Sequence, residues 1–299
     1  MEVFKKKGSI KDGIIQFEVN ENITKKVADF YRKNPFPNYN NNEDKYSLTA
    51  KGDKNKFAKE FKNLIGFNKK VLEVGSGTSQ MALYFSIGTN NQIYALDSTL
   101  DSLKLGKRFA ELNNIKNTYF IKADIFDDVL NEETFDFIWC DGVLHHTKNA
   151  YDAFKIIIKS LKKNGIIVVG LYNKFARVRT LLRKYLYKIF GKRFVIIFDP
   201  HLRKLNIGSE EKITAWIKDQ YEHPVESLHS FDEILNWFNI NNIEFINSVP
   251  SCYLFSNVEN IFEKREKGNF FTRLLSQILM IFSPYGGEGG LFIFIGRKI

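Results

Sequence analysis

Between residues 70 and 170, short apolar runs alternate with stretches of helical spacing, and this order restricts the fold more than any other feature. Residues 70–75 (KVLEVG) read as a buried strand that ends in glycine, and 78–86 has helical periodicity. A second strand at 92–96 precedes a helix at 100–113 that carries Leu103, Phe109, Ala110 and Leu112 on one side. Strands follow at 118–121 and 135–139. The next helix, 149–163, has a stripe of Ala150, Phe154, Ile157, Ile158 and Leu161, and a fifth strand lies at 166–170 (IIVVG). Strands alternating with single helices imply a parallel sheet with helices on both faces. The nearly continuous apolar runs imply strands buried on both sides.

The alternation stops at residue 171. Residues 171–229 show no clear strand, and order returns at Ser230, which forms a capping-box pattern with Glu233 ahead of Ile234, Leu235, Trp237 and Phe238. A strand at 244–249 and a closing strand at 291–296 (LFIFIG) frame a second irregular stretch, 250–290. The chain is expected to divide into an N-terminal lid or strap (1–50), a core (51–171), a basic helical cap insertion (172–229) and a completion of the core (230–299) that carries the 250–290 insertion. At 299 residues and 44% hydrophobic content, it is too apolar for a disordered chain. Cys140 and Cys252, its two cysteines, exclude a disulfide scaffold and a multi-cysteine zinc ribbon. The N-terminal MEVFKKKGSIKDG holds no signal-like apolar run. Stretch 270–282, interrupted by Arg273 and Gln277, falls short of the roughly 20 residues of a spanning helix. A soluble, cytoplasmic protein is the expectation.

The sharpest local signal is Glu73-Val-Gly-Ser-Gly77, two glycines where a strand gives way to a helix. Gly75 and Gly77 allow a tight turn and a close approach of backbone to ligand. The following helix turns free N–H groups toward it. Asp97 ends the second strand twenty residues after Gly77, where a carboxylate accepts both hydroxyls of a ribose. Both NAD and S-adenosylmethionine (SAM) fit this arrangement. Three features favour SAM: Gln80 stands where the dinucleotide fingerprint has its third glycine, acidic Glu73 precedes Gly75, and Asp124 follows the third strand within reach of an adenine amino group.

Glu73-Val-Gly-Ser-Gly77, Asp97, Ala123-Asp124-Ile125 and Cys140-Asp-Gly-Val-Leu-His-His-Thr147 together resemble the ordered motifs of class I SAM-dependent methyltransferases. The nearest likeness is to the broad small-molecule group that includes the quinone-biosynthesis C-methyltransferases. The resemblance covers residues 65–171. It implies a doubly wound, Rossmann-like, seven-stranded α/β sheet with an antiparallel last strand, an N-terminal lid and helical cap insertions. It also implies the cofactor roles. Gly75, Ser76 and Gly77 line the methionine part, and Glu73 holds the loop and faces the sulfonium. Asp97 binds the ribose with Ser98 beside it, Asp124 and Ile125 flank the adenine, and Cys140 and Asp141 meet the amino group mostly through backbone. The product would be S-adenosyl-L-homocysteine.

Methyl transfer is an in-line displacement at an already activated carbon, so an enzyme for it supplies positioning and a dry site. A protic nucleophile also needs a base. His145 and His146 follow the fourth strand at the substrate edge of such sheets and are the candidates. The segment Phe30–Tyr39 offers Tyr31 and Tyr39 as lid residues, with packing of a strap by its aromatics as the alternative. Tyr172, Tyr221 and His223 are candidate substrate contacts. In segment 219–229, His223, Glu226 and His229 are spaced by three, but Pro224 breaks any continuous helix between them and no metal is expected; the segment reads as a solvated loop or as a polar wall of the substrate pocket. Cys140 is preceded by Trp139 rather than the Pro of cysteine-nucleophile RNA methyltransferases, so a buried, inert thiol is expected.

The formal net charge is +10, and residues 171–204 hold ten cations against the single acid Asp199. Within them Val178, Leu181, Leu182, Tyr185, Leu186, Ile189 and Phe190 recur at helical spacing. Three uses fit: an apolar stripe packed on the core with cations in water, which is the preferred expectation, contact with an anionic membrane, or contact with nucleic-acid phosphates. Stretch 270–282 tilts the choice toward a hydrophobic substrate or a lid. The favoured function is metal-independent methyl transfer to O, N or C of a small, possibly hydrophobic molecule. An RNA methyltransferase and a non-catalytic SAM-binding module are the alternatives.

Overall fold

The computed structural model describes residues 3–33, 35–39, 43–204, 210–253, 260–282 and 289–299. The strands are β1 (Ser9–Lys11), β2 (Ile14–Gln16), β3 (Lys70–Val74), β4 (Gln92–Asp97), β5 (Thr118–Lys122), β6 (Phe135–Asp141), β7 (Leu161–Tyr172), β8 (Ile243–Val249) and β9 (Leu291–Lys298). They form one sheet in the order β1-β2-β5-β4-β3-β6-β7-β9-β8. Strands β2 to β7 pair in parallel, and β9 runs antiparallel to both β7 and β8. The doubly wound class is as expected, but the sheet has nine strands, not seven. The extra pair is a hairpin whose turn, Asp12-Gly13, has positive φ at both residues. Asp-Gly is a strong signal for such turns, easily overlooked beside strands of three residues. The hairpin covers the β5 edge and buries Ile14 and Phe17, which removes an open row of backbone donors and acceptors.

The helices are α1 (Asn22–Lys33), α2 (Lys45–Lys54), α3 (Lys56–Ile65), α4 (Gln80–Ser86), α5 (Leu100–Leu112), α6 (Ala150–Lys159), α7 (Val178–Phe190), α8 (Lys192–Phe198), α9 (Glu210–Ile217), α10 (Phe231–Ile240) and α11 (Phe270–Leu279). Two apolar clusters cover the two sheet faces, and the period of a strand sorts the side chains between them. Along β6, Ile138 and Cys140 join the cluster under α6 and α10, whereas Phe137 and Trp139 join the one under α3, α4 and α5. Helix α6 ends four residues before the expected 163, because Leu161 already pairs with Phe135 in the sheet. Ser230 caps α10 by accepting from the Glu233 amide, but the Glu233 carboxylate turns to His229 instead of completing the box.

The cap has a small core of its own, made of Val195, Leu202, Ile213, Trp216, Ile217 and Tyr221, with Phe36 of the strap packed against it. Arg177 anchors the cap. It is fully buried, forms a two-pronged pair with Glu226 (3.1 and 2.7 Å), donates to Gln220 Oε1 and Gly289 O, and stacks over the Tyr172 ring at 3.7 Å. The preferred expectation for segment 171–204 is overturned. The apolar stripe of α7 does not pack on the core: Val178, Leu181, Leu182, Tyr185 and Ile189 are exposed, and the buried residue of the helix is Thr180. The fold sets the orientation, because Thr180 faces Gly289, and Tyr187 is drawn inward by its hydrogen bond to Glu222. Among the described residues no helix is long and apolar enough to cross a membrane.

Candidate active site

A cavity of about 450 Å³ lies at the carboxyl ends of β3, β4 and β6, where strand order reverses. Its floor is the β3–α4 turn. Gly75 and Gly77 have φ of +64° and +52°, a region that L side chains rarely enter. A Cβ on Gly75 would meet Val143 at 2.4 Å, and one on Gly77 would meet the carbonyl oxygen of Phe36 at 2.5 Å. The second contact shows how the strap reaches the site: Thr78 Oγ1 donates to Pro37 O (2.6 Å), which lays Phe36 and Pro37 across the glycine turn.

The polar atoms of the floor are arranged for a ligand rich in donors. Asp97 lies at the end of β4, where its carboxylate accepts from the Gly77 amide (2.8 Å) and the Thr99 amide (2.7 Å) while facing the cavity with Ser98. Each of its oxygens keeps a second lone pair for a hydroxyl. Asp124 accepts from the Phe126 amide through Oδ1, and its buried Oδ2 has no hydrogen-bond partner. Asp141 likewise presents a buried, unpartnered Oδ1, and burial pushes its pKa up to about 6. Buried acceptors without donors are costly unless something supplies the donor. Glu73 is buried and accepts from the Ala82 amide (2.8 Å), and desolvation raises its pKa to about 8. Ser76 and Ile125 complete this wall. An adenine amino group, a ribose and an α-amino group match Asp124, Asp97 and Asp141 in turn, so the residues present fit SAM.

The opposite wall comes from the strap and the cap. Tyr31 of α1 donates to Asp219 (2.8 Å), and Gln220 donates to the Tyr172 hydroxyl (2.9 Å) and to Asp219 (2.9 Å). These side chains line the cavity with Trp216, Leu291 and His146. His146 Nδ1 lies 2.7 Å from Val225 O. A carbonyl only accepts, so Nδ1 carries the proton and Nε2 keeps its lone pair. Burial lowers the His146 pKa to about 4, so the ring is neutral near pH 7.

Glu73, Gly75, Ser76, Gly77, Asp97, Ser98, Asp124, Ile125, Asp141, Tyr31, Tyr172 and His146 are brought together as expected from the sequence. Five residues lie elsewhere. Cys140 is not part of the cavity lining: its thiol turns into the core on the alternate face of β6, the buried thiol expected from the sequence, and burial raises its pKa well above the usual range. His145 is wholly buried beside Tyr172 and His146, with no hydrogen-bond partner on either nitrogen. Tyr39 stacks on Phe109 and donates to Thr78 O, which fastens the strap from outside the cavity. Tyr221 points into the cap core and donates to Asp199. His223 stacks on His146 at 3.6 Å, behind the wall. Glu226 is taken by Arg177, and His229 bridges Ser227 and Glu233, so these residues do not converge as a ligand set. Sequence reasoning missed Trp216, Lys51 and Gln80, and it placed Asp219 and Gln220 only within a segment that could wall the pocket, without singling them out. Asp219 and Gln220 lie in a π-helical turn, Lys218–Glu222, whose wider winding shifts which residues face inward.

Comparison with known proteins agrees with this geometry. Residues 65–212, about half the chain, match a methyltransferase domain family. Among curated relatives, the ubiquinone biosynthesis O-methyltransferase of Glaesserella parasuis is 26% identical over 45% of this chain and 56% of its own length. The demethylmenaquinone methyltransferase of Bacillus mycoides is 24% identical over 42% of this chain and 56% of its own. The chain thus spans little more than half the length of these relatives. Among solved structures, PKMT2 from Rickettsia typhi in complex with AdoHcy aligns with a TM-score of 0.55 at 15% identity, over 77% of this chain and 48% of that one. Geranyl diphosphate C-methyltransferase from Streptomyces coelicolor aligns with a TM-score of 0.53 at 11% identity, over 94% and 100%. A nine-stranded sheet of this order, with a glycine turn and three carboxylates at its switch point, defines a nucleotide-cofactor α/β protein. The chain belongs to the class I SAM-dependent methyltransferases, a family whose cofactor is SAM.

Proposed function

We propose that this protein transfers a methyl group from SAM to a small aromatic acceptor bearing a hydroxyl group. The observation that carries this reading is His146. It is neutral, its Nδ1–H is held by Val225 O, and it belongs to the cavity wall opposite the carboxylates. Nε2 then accepts the hydroxyl proton as the oxygen attacks, so the acceptor gains the methyl group without accumulating positive charge. SAM, when bound, supplies the activated methyl. Tyr31, Phe36, Tyr172, Trp216 and Leu291 give the acceptor an apolar, largely aromatic enclosure that excludes water. The Tyr31–Asp219–Gln220–Tyr172 chain of hydrogen bonds holds two of these rings in place. Relatives named for ubiquinone biosynthesis and for demethylmenaquinone support a ring acceptor of this kind.

His146→Ala is expected to lower turnover on the order of a hundredfold or more, with SAM affinity within about twofold of the parent. His145→Phe is expected to keep turnover, since the His145 ring lies behind the wall and neither of its nitrogens has a hydrogen-bond partner. Equal turnover in the His146→Ala protein removes the proposed role of that residue.

A further inference from the structure

Two helices of this protein are inside out. Helix α7 buries Thr180 (2% exposed) and turns Tyr187 inward, while Leu182 (58%), Tyr185 (63%) and Ile189 (56%) face solvent. Helix α11 does the same: Ser276 and Gln277 are buried, and Phe271 (76%), Leu275, Ile278, Leu279 and, just beyond its end, Phe282 are exposed. Their buried polar groups are satisfied, since Gln277 bonds Asn173 and the Phe231 amide and Ser276 donates to Ser251 O. The polar faces are therefore fixed inward and the apolar faces outward. The two helices approach each other at one point, where Arg179 Nη1 on α7 donates to Ile281 O just beyond the end of α11 (2.9 Å). Exposed apolar helix faces of this kind mark an interaction site.

The charge around it selects the partner. Arg179 and Lys188 border the α7 stripe on either side, and Arg193 follows at the start of α8 beside Lys192, which pairs with Glu210 (3.6 Å). The single acid of 171–204, Asp199, is buried and occupied by Tyr221, Trp216 and the His201 amide. Helix α11 contains no acid. A second copy docked by the same face would set these cations against their own equivalents across the symmetry axis. A surface that is apolar at its centre, basic at its edge and too short in its helices to span a bilayer matches the interfacial class of membrane-bound helices.

We propose that α7 and α11 form a docking face for an anionic lipid surface, with the apolar side chains entering the headgroup–acyl boundary and the α7–α8 cations meeting lipid phosphates. This assignment is independent of the acceptor and of His146.

Flotation of the full chain with phosphatidylcholine vesicles, with and without phosphatidylglycerol, tests it at low and high salt. Binding is expected only with phosphatidylglycerol and weakens as salt rises. Leu182→Glu and Phe271→Glu are each expected to lower partitioning on the order of tenfold, and Lys188→Ala on the order of fivefold. Calorimetric SAM affinity should stay unchanged in all three, which establishes that they fold. Four results overturn the proposal: no binding to either vesicle, equal binding to both, variants that bind like the parent, or a dimer or an RNA complex that forms in place of lipid binding and is abolished by the same variants.

Discussion

Glu73 is a carboxyl group that burial keeps largely neutral near pH 7, since its pKa stands at about 8 against an ordinary value of 4.5. Bringing the cationic sulfonium and ammonium of SAM beside it favours the carboxylate. A group whose pKa falls on binding releases a proton, and affinity then rises with pH below the free-state pKa, by at most about tenfold per unit. Calorimetry of SAM binding in buffers of different ionisation enthalpy should show proton release near pH 7, and Glu73→Gln should reduce it. Identical heats in all buffers would contradict this linkage. Gly77 answers a different question. Gly77→Ala forces a side chain into a left-handed backbone and against the Phe36 carbonyl oxygen. That strain costs about 1–3 kcal/mol and is expected to weaken SAM binding tenfold or more in a direct titration, because relief requires the strap to lift. Both residues were legible in the sequence, since a glycine pair and an acid at a strand end are local signals. Trp216 and Gln220 were not, because their place in the wall depends on how the cap folds over the site: Trp216 stands on α9 and Gln220 in the π-helical turn that follows it.

At the scale of elements, the strap and the cap close the site together. The strap is pinned by Thr78 to Pro37 and by Tyr39 to Thr78, and it touches the cap through Tyr31 to Asp219 and through Phe36. The cap is held to the sheet by Arg177, whose guanidinium joins Glu226, Gln220, Gly289 and the Tyr172 ring. Arg177→Met would leave Glu226 buried without its partner. Removing one member of a buried pair costs about 3–5 kcal/mol, so urea unfolding should show a loss of that size and turnover should fall as the cap loosens. A loss below about 1 kcal/mol would mean that the cap does not depend on this anchor. Neither the pairing nor the burial of Arg177 was legible, since its partners lie 43, 49 and 112 residues away in the chain. The orientation of α7 was missed for the same reason. Its periodicity gave a stripe correctly, but which side of the stripe faces the core is decided by Thr180, Tyr187 and their distant neighbours.

For the whole molecule, the strands and helices of the cofactor half follow from local pattern, because a parallel strand buried on both faces writes itself as an unbroken apolar run. The N-terminal hairpin did not, because strands of three residues carry almost no periodicity and gain their stability from the edge they cover. The +10 charge resolves into one basic segment beside an outward apolar face, apart from the cofactor floor. The proposed reaction requires carboxylates that hold SAM on the β3–β6 side, a neutral His146 that takes a proton on the other side, and an aromatic enclosure between them. Transfer of a labelled methyl group from SAM, assayed in parallel against phenolic small molecules and total RNA, tests it most directly. Label is expected in an extractable small-molecule product, strongly reduced by His146→Ala. Tight SAM binding with label in no acceptor, or label found only in RNA, would contradict it.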